Sequence, residues 1–200
     1  MMRSILLVIG IIYSFVVSSQ DIKKKYAADP ATSKIEWTGK KLTGEHYGEI
    51  KLASGNLIFS KEKISEGSFE MDMASINCTD ITDAKSNKRL IDHLKSEDFF
   101  SVKRYPLSRF TITSVSCKSE NECDITGNLT IKDKTNSLTF PVKLKRENDK
   151  IVAKAIMTFD RSKYDVKFGS QSFYENLGDK LVYDDVDISI TLTLKREEPK

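Results

Sequence analysis

"VDISITLTLK", residues 186–195, is the stretch on which the fold turns. Val186, Ile188, Ile190, Leu192 and Leu194 fall on one side of an extended chain, while Asp187, Ser189, Thr191 and Thr193 fall on the other. A period of two with one apolar and one polar face marks an antiparallel strand buried on one side.

The same alternation recurs upstream. "SFEMDM" (68–73) sets Phe69, Met71 and Met73 against Ser68, Glu70 and Asp72. "DITGNLTIK" (124–132) places Ile125, Gly127, Leu129 and Ile131 on one face, and "SLTFPVKLK" (137–145) does so with Leu138, Phe140, Val142 and Leu144. Weaker versions at 33–39, 46–52, 55–60, 107–115 and 151–159 bring the strand candidates to about nine. Short polar turns, "ASGN" (53–56), "KDKTNS" (132–137) and "ENDK" (147–150), join them. So many strands predict a closed barrel or a sandwich. With no repeat or linker, residues 20–200 read as one all-β domain.

Two stretches break the pattern. Residues 83–95 predict a helix capped by Asp83 or Ser86, with Leu90, Ile91 and Leu94 on one side. In "DHLKSEDFFSVKRYP" (92–106), Ser96 caps a further turn carrying Phe99 and Phe100, and Pro106 forces Tyr105 into extended geometry. The second stretch, 161–180, is rich in aromatics and turns. Both fit covers over one open end of a barrel, or plugs of its core.

The inward positions mix Met71, Met73 and Met157 with Phe69, Phe110, Phe140 and Phe159, and with small Gly127, Ala153 and Ala155. That mixture suits an irregular cavity, although such residues also make ordinary cores. Candidate cavity residues further include Trp37, Ile112, Leu129 and Ile190 from strands. Leu94, Phe99, Phe100, Tyr164, Phe168 and Phe173 are the candidates from the covers. His93, Lys95, Arg161, Lys163 and Ser170 are candidates for a polar mouth, set against a plain surface role.

Composition narrows the function. The 32 Lys and Arg residues nearly balance 29 Asp and Glu, for a formal net charge of +3. Apart from short patches such as Lys23–Lys25, the charges are interspersed, which argues against a nucleic-acid partner. "MMRSILLVIGIIYSFVVSSQ" (1–20) has a basic residue, an apolar run and then small residues. That is the layout of a signal peptide ending at Ser19, with a membrane anchor as the alternative. The expectation is an exported, periplasmic or secreted protein, not inserted in a membrane after cleavage.

Export makes disulfides available. "CKSENEC" places Cys117 and Cys123 across a polar loop, so a bridge would staple a hairpin and leave Cys78 buried or free. Neither His46 nor His93 is at ligand spacing from a cysteine, so no metal or other cofactor is expected. "NCT" (77–79) and "NLT" (128–130) match the glycosylation acceptor pattern, although the second lies in a predicted strand.

"DHLKSEDFFSVKRYPLSRFTITS", "ITGNLTIKDKTNSLTFPV", "MTFDRSKYDV" and "ENLGDKLVYDDVDISITLTL" follow one another in the order that resembles the YceI family of polyisoprenoid-binding proteins. "SGNLIF" and "MDMASI" fit as well, and the likeness covers residues 30–195. It departs at Asp165, where such proteins often carry glycine. The resemblance implies a single extended antiparallel β-barrel, lipocalin-like, with an elongated apolar cavity for an isoprenoid or other long-chain lipid. It supplies no catalytic residues, and a homodimer is compatible with it.

Two other classes compete. An enzyme needs a general acid–base set, and the only concentration of candidates is "DRSKY" (160–164), which also suits a strand-to-turn transition at a barrel rim. A ligand-free interaction module would have a solid barrel with Phe99 and Phe100 turned outward.

Overall fold

The computed structural model describes residues 23–198. The expected signal segment, 1–19, lies outside them. Nine strands form one antiparallel sheet: β1 (Lys24–Ala28), β2 (Lys34–Lys41), β3 (Gly44–Ser60), β4 (Lys63–Asp72), β5 (Leu107–Ser119), β6 (Glu122–Ile131), β7 (Lys134–Glu147), β8 (Lys150–Asp160) and β9 (Val182–Arg196).

The pairing β3–β4 closes the sheet, so β2 to β9 make an eight-stranded barrel. β1 occupies the same slot as β2, further along. β2 pairs with Gly44–Ile50 of β3 and Val182–Thr191 of β9, whereas β1 pairs with Asn56–Phe59 and Leu194–Arg196. The break between them is tied to β9, where Asp29 N–H donates to Thr193 O at 2.8 Å and Thr193 N–H to Ser33 Oγ at 3.1 Å.

The strand count agrees with expectation, but its members differ. "ASGN" is not a turn. It lies inside β3, whose register against β4 shifts between Leu52 and Ser54, so 46–52 and 55–60 are one bulged strand. A bulge bends and twists a strand without ending it, which is why glycine and serine there mislead a local reading. β1 lies upstream of every expected strand.

The helix α1 spans Ala84–Lys95, capped by Asp83, whose side chain accepts from Ser86 N–H at 2.8 Å. Ser96 Oγ accepts from Asp98 N–H at 3.3 Å and so starts the turn that carries Phe99 and Phe100. Asp165 adopts the left-handed conformation at φ 59°, ψ 32° after the 3-10 turn Arg161–Tyr164. A non-glycine residue there keeps the turn that glycine would allow without strain. Cys117 and Cys123 are register partners on β5 and β6 and are joined by a disulfide.

Candidate functional site: the barrel cavity

The barrel interior is not filled. A space of about 370 Å³ remains, inside the size range of small-molecule sites. Its wall is almost wholly apolar. Trp37 of β2, with Phe69, Met71 and Met73 on and just after β4, lines one side. Phe110, Ile112, Leu129 and Phe140 of β5–β7 line another, and Met157, Phe159 and Ile190 of β8 and β9 complete the ring. Small residues leave the room: Ala153 and Ala155 face the space where larger side chains would fill it.

The cover comes from the two stretches without strand pattern. Leu94, Phe99, Phe100 and Phe168 all touch the cavity. Their rings interlock, with Phe99 and Phe168 centroids 5.4 Å apart and the His93 ring edge-on to both at 4.9 and 4.5 Å. Leu90 also reaches the cavity, so α1 turns Leu90 and Leu94 inward as its spacing predicts; Ile91 does not reach it.

Arg161 fixes the second cover. It is 2% exposed, with Nε donating to Tyr183 O at 3.0 Å, Nη1 to Val166 O at 3.1 Å and Nη2 to Val182 O at 2.9 Å. Asp184 Oδ1 lies 3.3 Å from Nη2 as an ion contact but outside hydrogen-bond alignment. Burial pulls the guanidinium pKa down, against the carboxylates of Asp184 and Asp160, and so large a starting value leaves it charged. The cation also sits over the Phe99 ring, 5.8 Å from its centroid, which links the two covers.

Five expected site residues are elsewhere. Tyr164 is 1% exposed and packs edge-on to Phe159 on the outer side of the wall, off the cavity. Its hydroxyl has no hydrogen-bond partner, and burial, only partly offset by Asn136, pushes its pKa up to about 12. Phe173 is 42% exposed under the Lys167 ammonium. Lys95 does not reach the cavity, and Lys163 points to solvent with a side chain 63% exposed. Ser170 is fully buried, donating to Asp184 Oδ2 at 2.8 Å, so it serves the loop and not the mouth. In each case the loop path decides the direction, and loops have no period from which to read it.

His93 and Arg161 do reach the cavity, together with Lys40, Lys41 and His46, which the sequence reading passed over. A signal for two of these existed. Lys41 shares the parity of Ile35 and Trp37, and His46 that of Ile50 and Leu52. His46 Nδ1 donates to Asp80 Oδ2 at 2.8 Å, while Asp80 Oδ1 accepts from Tyr47 N–H at 3.0 Å and from the buried Cys78 thiol at 3.2 Å. Burial raises the Asp80 pKa, but these three donors outweigh it and hold the carboxyl at about 2. Every charged or imidazole residue on the lining is a base, and no carboxylate touches it.

"DRSKY" assembles no common centre. Asp160 caps its own turn through Ser162 N–H at 2.9 Å, Arg161 is bound to carbonyls, and Lys163 is exposed. Among the described residues no group of three or more His, Cys, Asp or Glu is placed to hold a metal ion, and no helix is long and apolar enough to cross a membrane.

A closed antiparallel barrel around an apolar chamber, capped by one helix and aromatic loops, defines a lipocalin-like barrel. The family model described as the YceI-like domain matches residues 26–194, and the chain belongs to that family. It is 34% identical over 103 residues to Protein YceI of Salmonella arizonae and of Salmonella newport. That alignment takes in 52% of this chain and spans about half (51%) of those curated relatives.

Solved structures agree on the fold. Burkholderia cenocepacia BcnA superposes with a TM-score of 0.68 at 24% identity, covering 83% of this chain and 98% of that one. A polyisoprenoid binding domain from Saccharophagus degradans implicated in plant cell wall breakdown gives 0.62 at 12% identity, covering 86% and 98%. The Campylobacter jejuni YCEI protein gives 0.53 at 17% identity, covering 99% and 100%.

Proposed function

We propose that the protein binds one long-chain amphiphile, a polyisoprenoid or similar lipid, inside the barrel, and acts as a carrier or store and not as a catalyst. The observation that carries this reading is the unfilled space of about 370 Å³ walled by apolar side chains. Protein interiors are ordinarily packed to crystal-like density, so an apolar void of that size has a use. Family membership and the name of the Saccharophagus degradans domain support the same ligand class.

The energetics suffice. Burying a tail gains about 0.8 kcal/mol per methylene, or roughly 3–4 kcal/mol per five-carbon unit. A few units offset an association cost of about 4–15 kcal/mol. No directed polar contact is required, so the tail is held with loose chemical selectivity. The bases around the lining favour a head group that is anionic or accepts hydrogen bonds.

The signal-like segment 1–19 supports a working place outside the cytoplasm, where a lipid needs a soluble host to cross water. The partner in this reading is the lipid itself, with homodimer formation compatible. The experiment is solvent extraction of the purified protein followed by mass spectrometry, alongside titration with cis-parinaric acid, a fluorescent long-chain fatty acid. A long-chain compound at near-stoichiometric yield and saturable uptake of the probe are expected. No extracted lipid in repeated preparations together with no uptake would overturn the reading.

A further inference from the structure

The barrel wall has a seam. β7 and β8 share ladder pairs only from Glu147–Lys150 to Val142–Ala155. Beyond that point β7 stays paired with β6 from Pro141 to Lys134, and β8 stays paired with β9 from Ile156 to Asp160. Each strand keeps its outer neighbour while the two part from one another over the half of the wall nearest the covers.

The sequence contains the cause. Asn148 and Asp149 form a two-residue turn, so the flanking pair Glu147–Lys150 is hydrogen-bonded and alternate pairs follow it. Lys145–Val152 and Lys143–Lys154 are therefore bonded, and the next bonded pair would be Pro141 with Ile156. Proline has no N–H to give, and the ladder stops at that step.

Little else bridges the gap. Asn136 Nδ2 donates to Lys163 O at 3.0 Å and Lys132 Nζ to Asp165 O at 2.8 Å, both on the turn beyond β8 and not on β8 itself. A cleft lies in the seam between Asn136–Leu138 and Thr158–Asp160. Phe159 lines both this cleft and the main cavity, so one ring stands between them. Continuing the register puts Leu138 opposite it. Phe159, with Leu138 opposite it in register, thus stands on the inner side of the seam, where an apolar chain can displace its ring without breaking a backbone hydrogen bond. The cleft outside it is also lined by polar Asn136, Ser137, Thr158, Asp160, Lys163 and Asp185. The covered end, by contrast, is pinned by the three carbonyl bonds of Arg161. Ile156, 72% exposed, offers an apolar foothold on the outer lip.

We propose that the β7–β8 seam is a side entrance to the cavity, gated by Phe159, through which an extended apolar chain threads into the barrel. The proposal rests on the lipid-binding reading above. Its test separates the two, because equilibrium uptake reports binding and the rate of uptake reports the route.

Thr139→Cys with Thr158→Cys places two exposed thiols across the seam; Cys78 is buried and Cys117 and Cys123 are already bonded, so a bifunctional thiol reagent joins only the new pair. Thr111→Cys with Asn128→Cys, register partners on the β5–β6 wall, whose ladder runs from Arg109–Thr130 to Ser119–Glu122 with two bulges, is the control. Stopped-flow transfer from Trp37, the single tryptophan, to cis-parinaric acid follows loading. Bridging the seam should slow loading roughly tenfold or more, a change in barrier height and not in capacity, while the bridged control loads normally. Pro141→Val, which restores the missing donor, should also slow loading, and Phe159→Ala should speed it. Saturable binding with wild-type rates in both the bridged seam and Pro141→Val, or equal slowing in the bridged control, overturns the side entrance and leaves the binding reading standing. Absence of uptake by the unaltered protein overturns both.

Discussion

The Arg161 guanidinium lies 3.3 Å from the Asp184 carboxylate with only 2% of the arginine exposed. The pair ties the turn after β8 to the start of β9, and both ends of the second cover depend on it. Asp184 also accepts from Ser170 Oγ at 2.8 Å and Ser172 Oγ at 2.7 Å, so one carboxylate organises most of the loop.

Arg161→Met should therefore destabilise the protein by about 3–5 kcal/mol, the usual result of leaving one partner of a buried ion pair behind. Denaturant unfolding measures it. Asp184→Asn in the same background should recover part of the loss, because the stranded charge is gone.

Acid should weaken the fold through Asp80. Its carboxyl titrates at about 2 in the folded state against 3.8 for an ordinary aspartate. A depressed folded pKa gives stability that is fully present above about pH 4 and is lost as pH falls towards 2, at most about 2 kcal/mol. Asp80→Asn should flatten that part of the stability–pH curve, read by urea unfolding at successive pH values.

Filling the chamber should abolish its use. Ala155→Phe projects a ring into the lined space, so uptake of cis-parinaric acid should fall by roughly tenfold or more while the overpacking cost stays near 1–3 kcal/mol. Uptake unchanged from wild type would place the probe outside the barrel.

Gly48→Ala tests the packing of β3 on the chain before α1. A methyl group there would sit 2.1 Å from Asn77 O, a backbone atom that also accepts from Trp37 Nε1 at 3.1 Å. The backbone cannot swing away as a side chain would, so a loss of about 1–3 kcal/mol and a shifted Trp37 emission are expected.

Opening the Cys117–Cys123 bridge by Cys117→Ser with Cys123→Ser should cost about 2 kcal/mol, since the loop it closes is short. Neither cysteine lines the cavity, so probe affinity should hold. Thermal unfolding and probe titration together distinguish the two effects.

The strands that alternate cleanly, β6, β7 and β9, were legible because a side-chain period of two is a local property. The helix was legible for the same reason, through the spacing of Leu90 and Leu94 and the cap at Asp83. β3 reads as two strands in the sequence because the bulge at Leu52–Ser54 is carried by pairing with β4, which nothing in the local pattern of 53–56 announces. Arg161 and Ser170 read alike in the sequence as polar mouth residues. In the structure Arg161 lines the cavity, held by the carbonyls of Val182 and Tyr183 in β9, while Ser170 is sealed against Asp184.

The amino-acid sequence by itself determined the β class, the inward residues of the regular strands and the family, because alternation and short motifs are written along the chain. Only the tertiary structure decided that the barrel closes through β3 and β4, that an empty space survives inside, and that the wall parts beside Pro141. Closure, volume and the loss of a ladder are relations between residues brought together by folding. They depend on how side chains from eight strands share one interior, which no single stretch of chain encodes.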